Sequence, residues 1–364
     1  MNLACDIFCQ DCIPGMAERL APESVDLCIS SIPFGSLFMY SGKTADIGNN
    51  ADGVDMRESE FGLHLRFFIE QLRRVMKPGR NACIHIQQLL TYKVQHGYMG
   101  RRDFRGAVVD MFSAGGFHWT GEVAISKNPQ VIAKRLNLHS LMFATGKRDS
   151  TDLMPAVNDY VMVFQKPGDN AVPVRALYDR QENPGGWVTK DEWIKWARGV
   201  WGDIRETDVL EGWQWAREEG DEKHVCPLQL EVIRRCVLLY SNPGEVVLDP
   251  FMGVGSSAVV ALREGRSAAG FEMKESYHAQ AVRNAAQCLR SAGAQMSIFD
   301  FLEIEDEPDA PAPFAPPDPV PAAAMPCPPA YDPDSDPRLE QFCARTGRSR
   351  EQALELIRAG QVTP

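Results

Sequence analysis

Short apolar runs bounded by turn residues alternate along this chain with stretches where apolar residues recur every three or four positions. That is the pattern of buried strands joined by amphipathic helices. Leu3–Phe8, Val25–Ser30, Ala82–Ile86, Phe117–Lys127, Asp159–Lys166, Val246–Leu248 and Ala268–Phe271 predict strands. Phe61, Leu65, Phe68, Ile69, Leu72 and Val75 fall at helical spacing, and Lys77-Pro78-Gly79 stops that helix. Further helices are predicted after Asp103-Phe104, up to Tyr240, and from Ser256, with Ser256 as the cap. Strands alternating with helices imply an α/β fold with a mostly parallel sheet and helices on both faces.

Two breaks in this pattern divide the chain. From Pro167 to about Lys223 prolines and charges are interleaved with Trp187, Trp193, Trp196, Trp201, Trp213 and Trp215, six of the seven tryptophans. Most of these read as the local core of a small inserted segment. Beyond residue 294 the chain turns Pro/Ala/Asp-rich without apolar period, which predicts an extended, disordered linker to residue 337. Leu339, Phe342, Ala353, Leu354 and Ile357 then predict a small helical element over 338–364. The expected divisions are 1–166, 167–223, 224–294, 295–337 and 338–364.

Composition changes this picture in three places. No apolar run reaches about 18 residues, so no transmembrane helix is expected. The N-terminus has no basic region followed by a long apolar core, and ten cysteines lack framework spacing, so reduced thiols in a cytosol are expected. The net charge of −11 looks wrong for a nucleic-acid binder. Ten acidic residues and no Lys or Arg lie between Asp300 and Asp336, however, which leaves the remainder at −1. A near-neutral body can still present a basic cleft.

The candidate chemistry centres on Val246-Val247-Leu248-Asp249-Pro250-Phe251-Met252-Gly253-Val254-Gly255-Ser256. A strand, a glycine turn and a helix N-terminus let a ligand approach bare backbone, because glycine lacks the Cβ that would block it. Glu272 stands at the tip of the next strand, where a carboxylate could grip ribose hydroxyls. Ala258 at the third glycine position of a dinucleotide fingerprint is allowed in its looser form, so the glycines do not exclude a nicotinamide. The Asp-Pro-Phe lead-in favours another ligand: Asp249-Pro250-Phe251-x-Gly253-x-Gly255 resembles motif I of the amino-methylating DNA methyltransferases, which bind S-adenosyl-L-methionine.

A second stretch is "ESVDLCISSIPFGS", a strand that ends in a turn, in which Ser31-Ile32-Pro33-Phe34 resembles motif IV of the same family. The resemblance implies catalytic roles for Ser31, Pro33 and Phe34. Ser31 and a prolyl-turn carbonyl would accept hydrogen bonds from the target amino group, and Phe34 would stack on the extruded base. Ile32 departs from the family, which usually has proline there; isoleucine leaves the turn less rigid. Asp11 resembles the acidic position at the adenine end of the cofactor, and His224 and Pro227 resemble motif X, near its methionine end.

Catalytic motif, inserted segment, then cofactor motif is the β arrangement of the family. It implies a seven-stranded Rossmann-like methyltransferase sheet, duplex DNA as partner and target recognition by the insert, as in the site-specific enzymes of phages and restriction-modification systems. Adenine N6 is favoured, with cytosine N4, an RNA or protein methyltransferase, or a non-catalytic DNA- or clamp-binding module as rivals. Lys134, Arg135, Lys147 and Arg148 lie in a basic stretch suited to phosphate contacts. Gln295-Met296-Ser297-Ile298-Phe299 resembles the peptide with which bacterial proteins dock on the replicative sliding clamp. His85 reads as a satisfied sheet histidine. Cys5, Cys9 and Cys12 have the spacing of a radical-enzyme iron–sulfur site, but they sit in and just after an apolar run rather than on an open loop, and no metal is expected.

Overall fold

The structure is a computed structural model that describes residues 3–35, 46–50, 55–135, 141–216, 227–293 and 349–351. The chain divides into units 1–316 and 317–364. All elements below belong to the first. The linker, the clamp-like peptide Gln295–Phe299 and nearly all of the C-terminal element lie outside the described residues.

The strands are β1 (Cys5–Phe8), β2 (Leu27–Ser31), β3 (Asn81–Gln87), β4 (Leu89–Thr91), β5 (Gly100–Arg102), β6 (His118–Ile125), β7 (Asp159–Gln165), β8 (Val200–Trp201), β9 (Val246–Asp249) and β10 (Ser267–Phe271). The helices are α1 (Cys12–Arg19), α2 (Glu60–Val75), α3 (Lys93–His96), α4 (Phe104–Ala114), α5 (Pro129–Arg135), α6 (Phe143–Gly146), α7 (Lys190–Trp196), α8 (Leu230–Tyr240), α9 (Ser256–Arg263) and α10 (Glu275–Gly293).

Eight strands form one sheet in the order β1-β10-β9-β2-β3-β7-β6-β8, and β4 and β5 make a separate hairpin. The expected count of seven is therefore exceeded by one. The extra strand, β8, comes from the tryptophan-rich insert and pairs in parallel with the edge strand β6. Among the described strands of this sheet, only β7 runs against its neighbours, β3 and β6.

Period-two alternation within the strands supplies both faces of the sheet. Cys28, Ile84, Ile86 and Leu248 enter a core with α1, α2 and α4. Leu27, Ile29, Cys83 and Val247 enter a second core with α8 and α9 on the other face. All six apolar positions predicted for α2 are buried, and Ser59 caps its start through the Gly62 amide at 3.1 Å.

The insert packs by its tryptophans. Trp196 and Trp201 are buried, and the Arg235 guanidinium lies 5.5 and 5.0 Å from their ring centres. The Trp201 indole donates to the Trp196 carbonyl at 2.8 Å, and Trp187 donates to Leu238 of α8 at 2.7 Å. The basic stretch beyond residue 127 holds α5 and α6 and buries Ile132, Ala133 and Leu141.

The position of the site follows from the strand order. From β9 the chain passes through α9 to β10 on one side, while from β2 it passes through α2 to β3 on the other. The two central strands are neighbours, with Leu27 opposite Val247 and Cys28 opposite Leu248. A crevice opens at the carboxyl ends of parallel strands where such connections diverge. Both candidate motifs stand there.

Candidate active site

The β9–α9 turn is built on its aspartate. Asp249 is buried, and its carboxylate accepts from the Phe251 amide at 3.0 Å, from the Ser30 hydroxyl at 2.6 Å and from the Ser257 hydroxyl. One side chain thus joins the end of β2, the turn and the first helical residues of α9. Burial pushes the Asp249 carboxyl above its ordinary value, against the lowering effect of those bonds. With three donors engaged inside the protein, its work is to shape the turn.

Gly255, not Ser256, precedes the helix: Gly255 is the cap position at φ 90°, and Ser256 is the first helical residue. A side chain at 255 would be strained in the left-handed region, and its Cβ would meet the Ala281 backbone at 3.0 Å. Gly253 also has positive φ, 54°, but an added Cβ would meet nothing within 4 Å. Its amide donates to Glu272 at 2.8 Å, as does that of Lys274. Burial nevertheless raises the Glu272 carboxyl to about 7, helped by the charges of Asp249 and Asp46.

A single cavity is lined by Asp11, Ser31, Pro33, Phe34, Pro227, Asp249, Pro250, Phe251, Gly253, Ser256 and Glu272. Eleven predicted positions, drawn from distant stretches of the chain, therefore converge. Asp11 caps α1 through the Ile13 amide at 2.9 Å, and burial raises its carboxyl. Two polar atoms on the cavity wall have no protein partner among the described residues: Ser256 Oγ and Gln229 Oε1, on residues 6 % and 5 % exposed. Buried polar atoms are rarely left unpaired without a function or a ligand to pair them.

Ile32, where the family usually has proline, is fully buried in the α2-side core and is not part of the cavity wall. The substitution is thus accommodated by packing. Phe34 is nearly buried, with its ring centre 5.7 Å from that of His85.

Sequence reasoning missed a polar line across the sheet. Ser31 Oγ lies 2.9 Å from His85 Nδ1, His85 Nε2 lies 3.2 Å from Asp159 Oδ2, and Lys127 Nζ lies 2.8 Å from the same oxygen. Register explains it: Ser31 pairs with His85 across β2 and β3, while Ile125 at the end of β6 pairs with Asp159 on β7. Only the strand order brings these residues together. Gln229, Trp213 and Asp46 on the cavity wall were likewise missed.

Other expected residues lie elsewhere. Lys134, Lys147 and Arg148 are exposed on or after α5 and α6 and do not line the cavity; the side chain of Arg135 and the whole of His224 are outside the described residues. Cys5 is on β1, Cys9 on an exposed turn and Cys12 is buried at the start of α1. Burial pushes the Cys5 thiol to about 12 and raises that of Cys12 strongly. Among the described residues no three metal-ligating side chains gather, and no helix is long and apolar enough to cross a membrane.

With this geometry established, residues 25–283 match the model of the N6/N4 DNA methylases, described as "DNA methylase". The chain belongs to that family. It is 32 % identical over 122 residues to the type II methyltransferase M.BglI of Bacillus subtilis, covering 33 % of this chain and 28 % of that relative. Over 276 residues it is 23 % identical to the type II methyltransferase M.MjaI of Methanocaldococcus jannaschii, covering 71 % and 84 %. The match thus spans less than a third of M.BglI but most of M.MjaI. The fold is similar to that of TTHA0409 from Thermus thermophilus, solved with S-adenosyl-L-methionine (TM-score 0.55, 20 % identity, 78 % of this chain and 94 % of that one). It is also similar to the cytosine-N4-specific PvuII DNA methyltransferase (TM-score 0.51, 16 % identity, 79 % and 94 %).

Proposed function

We propose that this chain transfers a methyl group from S-adenosyl-L-methionine to an exocyclic amino group of a base in duplex DNA, with adenine N6 preferred to cytosine N4. The observation that carries the reading is the meeting of the Asp249–Ser256 turn and the Ser31–Phe34 turn on one cavity at the ends of adjacent strands. Family membership and the fold of a relative solved with the cofactor agree with it.

The residues on the cavity wall suit that cofactor. Ser256 and Gln229 have unsatisfied polar atoms to offer, Gly253 leaves backbone open, and Glu272 and Asp11 supply carboxylates for hydroxyl and amino donors. Pro227 and His224 would stand toward the methionine end. When bound, S-adenosyl-L-methionine supplies an electrophilic methyl group.

The chain's own part is alignment and polarisation. An exocyclic amino group is a poor nucleophile because its lone pair is delocalised into the ring. Hydrogen bonds from its N–H groups to Ser31 Oγ and to a carbonyl of the Ile32–Pro33 turn would return that pair to nitrogen. Phe34 would stack on the base, taken out of the duplex to reach the cavity. Holding the partners close and aligned then supplies much of the rate. The 167–223 segment would read the target sequence, Lys134, Arg135, Lys147 and Arg148 would contact phosphates, and Gln295–Phe299 would dock on the sliding clamp.

The test is competition. With labelled S-adenosyl-L-methionine and equal amounts of duplex DNA, RNA and a protein mixture, label should enter the DNA. Ser31→Ala should cut that transfer roughly 10²-fold or more. Label entering RNA or protein instead, or undiminished transfer by the variant, would contradict the reading.

A further inference from the structure

The line Ser31–His85–Asp159–Lys127 starts on the cavity wall, which Ser31, His85 and Asp159 all line, and for a neutral imidazole its hydrogen bonding admits one assignment. Asp159 is buried; burial alone would raise its carboxyl, but the bonds and charges of His85 and Lys127 outweigh that and hold it below its ordinary value. An ionised carboxylate only accepts, so the proton between it and His85 is on Nε2. When the ring is neutral, as the relay requires, His85 presents a bare Nδ1 to Ser31 Oγ at 2.9 Å, and the hydroxyl donates. Having given away its single proton, Ser31 faces the cavity with lone pairs alone. A serine free to rotate could equally offer its proton to the target nitrogen, which would tie up the lone pair that has to attack.

The reaction also leaves a proton to be removed. As the amino nitrogen forms its bond to the methyl carbon, the carbon–sulfur bond breaks and its electron pair stays on sulfur, so the methylated nitrogen carries one proton too many. Serine has no basicity of its own to hold it. We propose that His85, oriented by Asp159, accepts this proton through Ser31: the nitrogen's proton passes to Ser31 Oγ as the hydroxyl proton passes to His85 Nδ1. The imidazolium so formed is flanked by the Asp159 carboxylate. Lys127 neutralises that carboxylate in the resting state, so the pair tolerates burial and the added charge on His85 is only transient. Among the described residues, the groups bonded to the ring are Asp159 of β7 and Ser31 of β2, with Lys127 beyond β6 paired to the Asp159 carboxylate and the Phe34 ring beside the imidazole. His85 and Asp159 act through Ser31 and are positioning residues.

This inference rests on the amino-methylation reading, and its test separates the two. Nitrogen-15 spectra of the imidazole in the ligand-free protein should show Nε2 protonated and Nδ1 bare at pH ~8, above the ordinary histidine range. A neutral ring protonated on Nδ1 would overturn the assignment whatever the enzyme does. Single-turnover transfer to methyl-free genomic DNA should fall as pH drops through the His85 titration seen in those spectra. His85→Gln should slow it roughly 10²-fold, abolish that acidic limb and leave S-adenosyl-L-methionine affinity unchanged; His85→Asn, shorter and easier to accommodate, serves as the second variant. Asp159→Asn, which can flip the tautomer, should slow transfer while the protein stays folded by circular dichroism. Folded His85 variants with the unaltered rate and pH profile would overturn the relay. If the unaltered chain methylates no DNA, the functional reading itself fails.

Discussion

Burial pushes Glu272 up to about 7 although the Gly253 and Lys274 amides both donate to it. Its ordinary value is 4.5, so between about 4.5 and 7 the folded chain holds a proton that the unfolded chain has lost. The stability this group contributes is fully present below 4.5 and is lost as pH rises through about 7. Ribose hydroxyls donate to the ionised form, so ligand binding should run in the opposite direction. S-adenosyl-L-methionine affinity should rise with pH through about 7, measured by calorimetry. In Glu272→Gln it should be weaker by roughly 10- to 100-fold, the worth of a hydrogen bond to a charged group, and flat with pH. Equal pH dependence in the variant would remove Glu272 from the ribose role. Single residues were partly legible in the sequence: Glu272 stood out by its place at a strand tip. His85 did not, because a histidine inside an apolar strand looks the same whether it is merely satisfied or linked to a serine and an aspartate.

At the scale of elements, the β9–α9 turn uses its two glycines differently. Both have positive φ, but only at Gly255 would a side chain also meet α10, at the Ala281 backbone. Gly255→Ala should therefore cost about 1–3 kcal/mol from backbone strain plus the displacement of α10. Gly253→Ala carries the strain without the contact and should cost less in stability. The check is urea unfolding of both variants; equal losses would show that the α10 contact carries no energy. The strands and α2 could be read from apolar spacing, since burial on one or both faces writes itself into the sequence. β8 could not: two residues, Val200 and Trp201, show no period, and they pair with β6 only because the tryptophan-rich insert lies against that edge. The cap of α9 was misplaced by one residue because a left-handed glycine and a serine beside it both suit a helix start.

For the whole molecule, the strand order does what no local pattern reveals. It sets a turn from residue 31 beside a turn from residue 249 and places Asp159 across two strands from Ser31. The motifs and their order along the chain pointed to the family before any coordinate, through their resemblance to motifs I and IV of the amino-methylating enzymes. Their convergence on one cavity is a property of register and topology. The charge of −11 resides mainly between residues 300 and 336, outside the strands that carry the site, and the rest of the chain sums to −1. The most direct measurement of the proposed activity is mass spectrometry of nucleosides released from methyl-free duplex DNA after incubation with the protein and S-adenosyl-L-methionine. N6-methyladenine is the expected product; N4-methylcytosine would keep the class and change the base, and no methylated nucleoside from a protein that binds the cofactor would contradict DNA amino methylation.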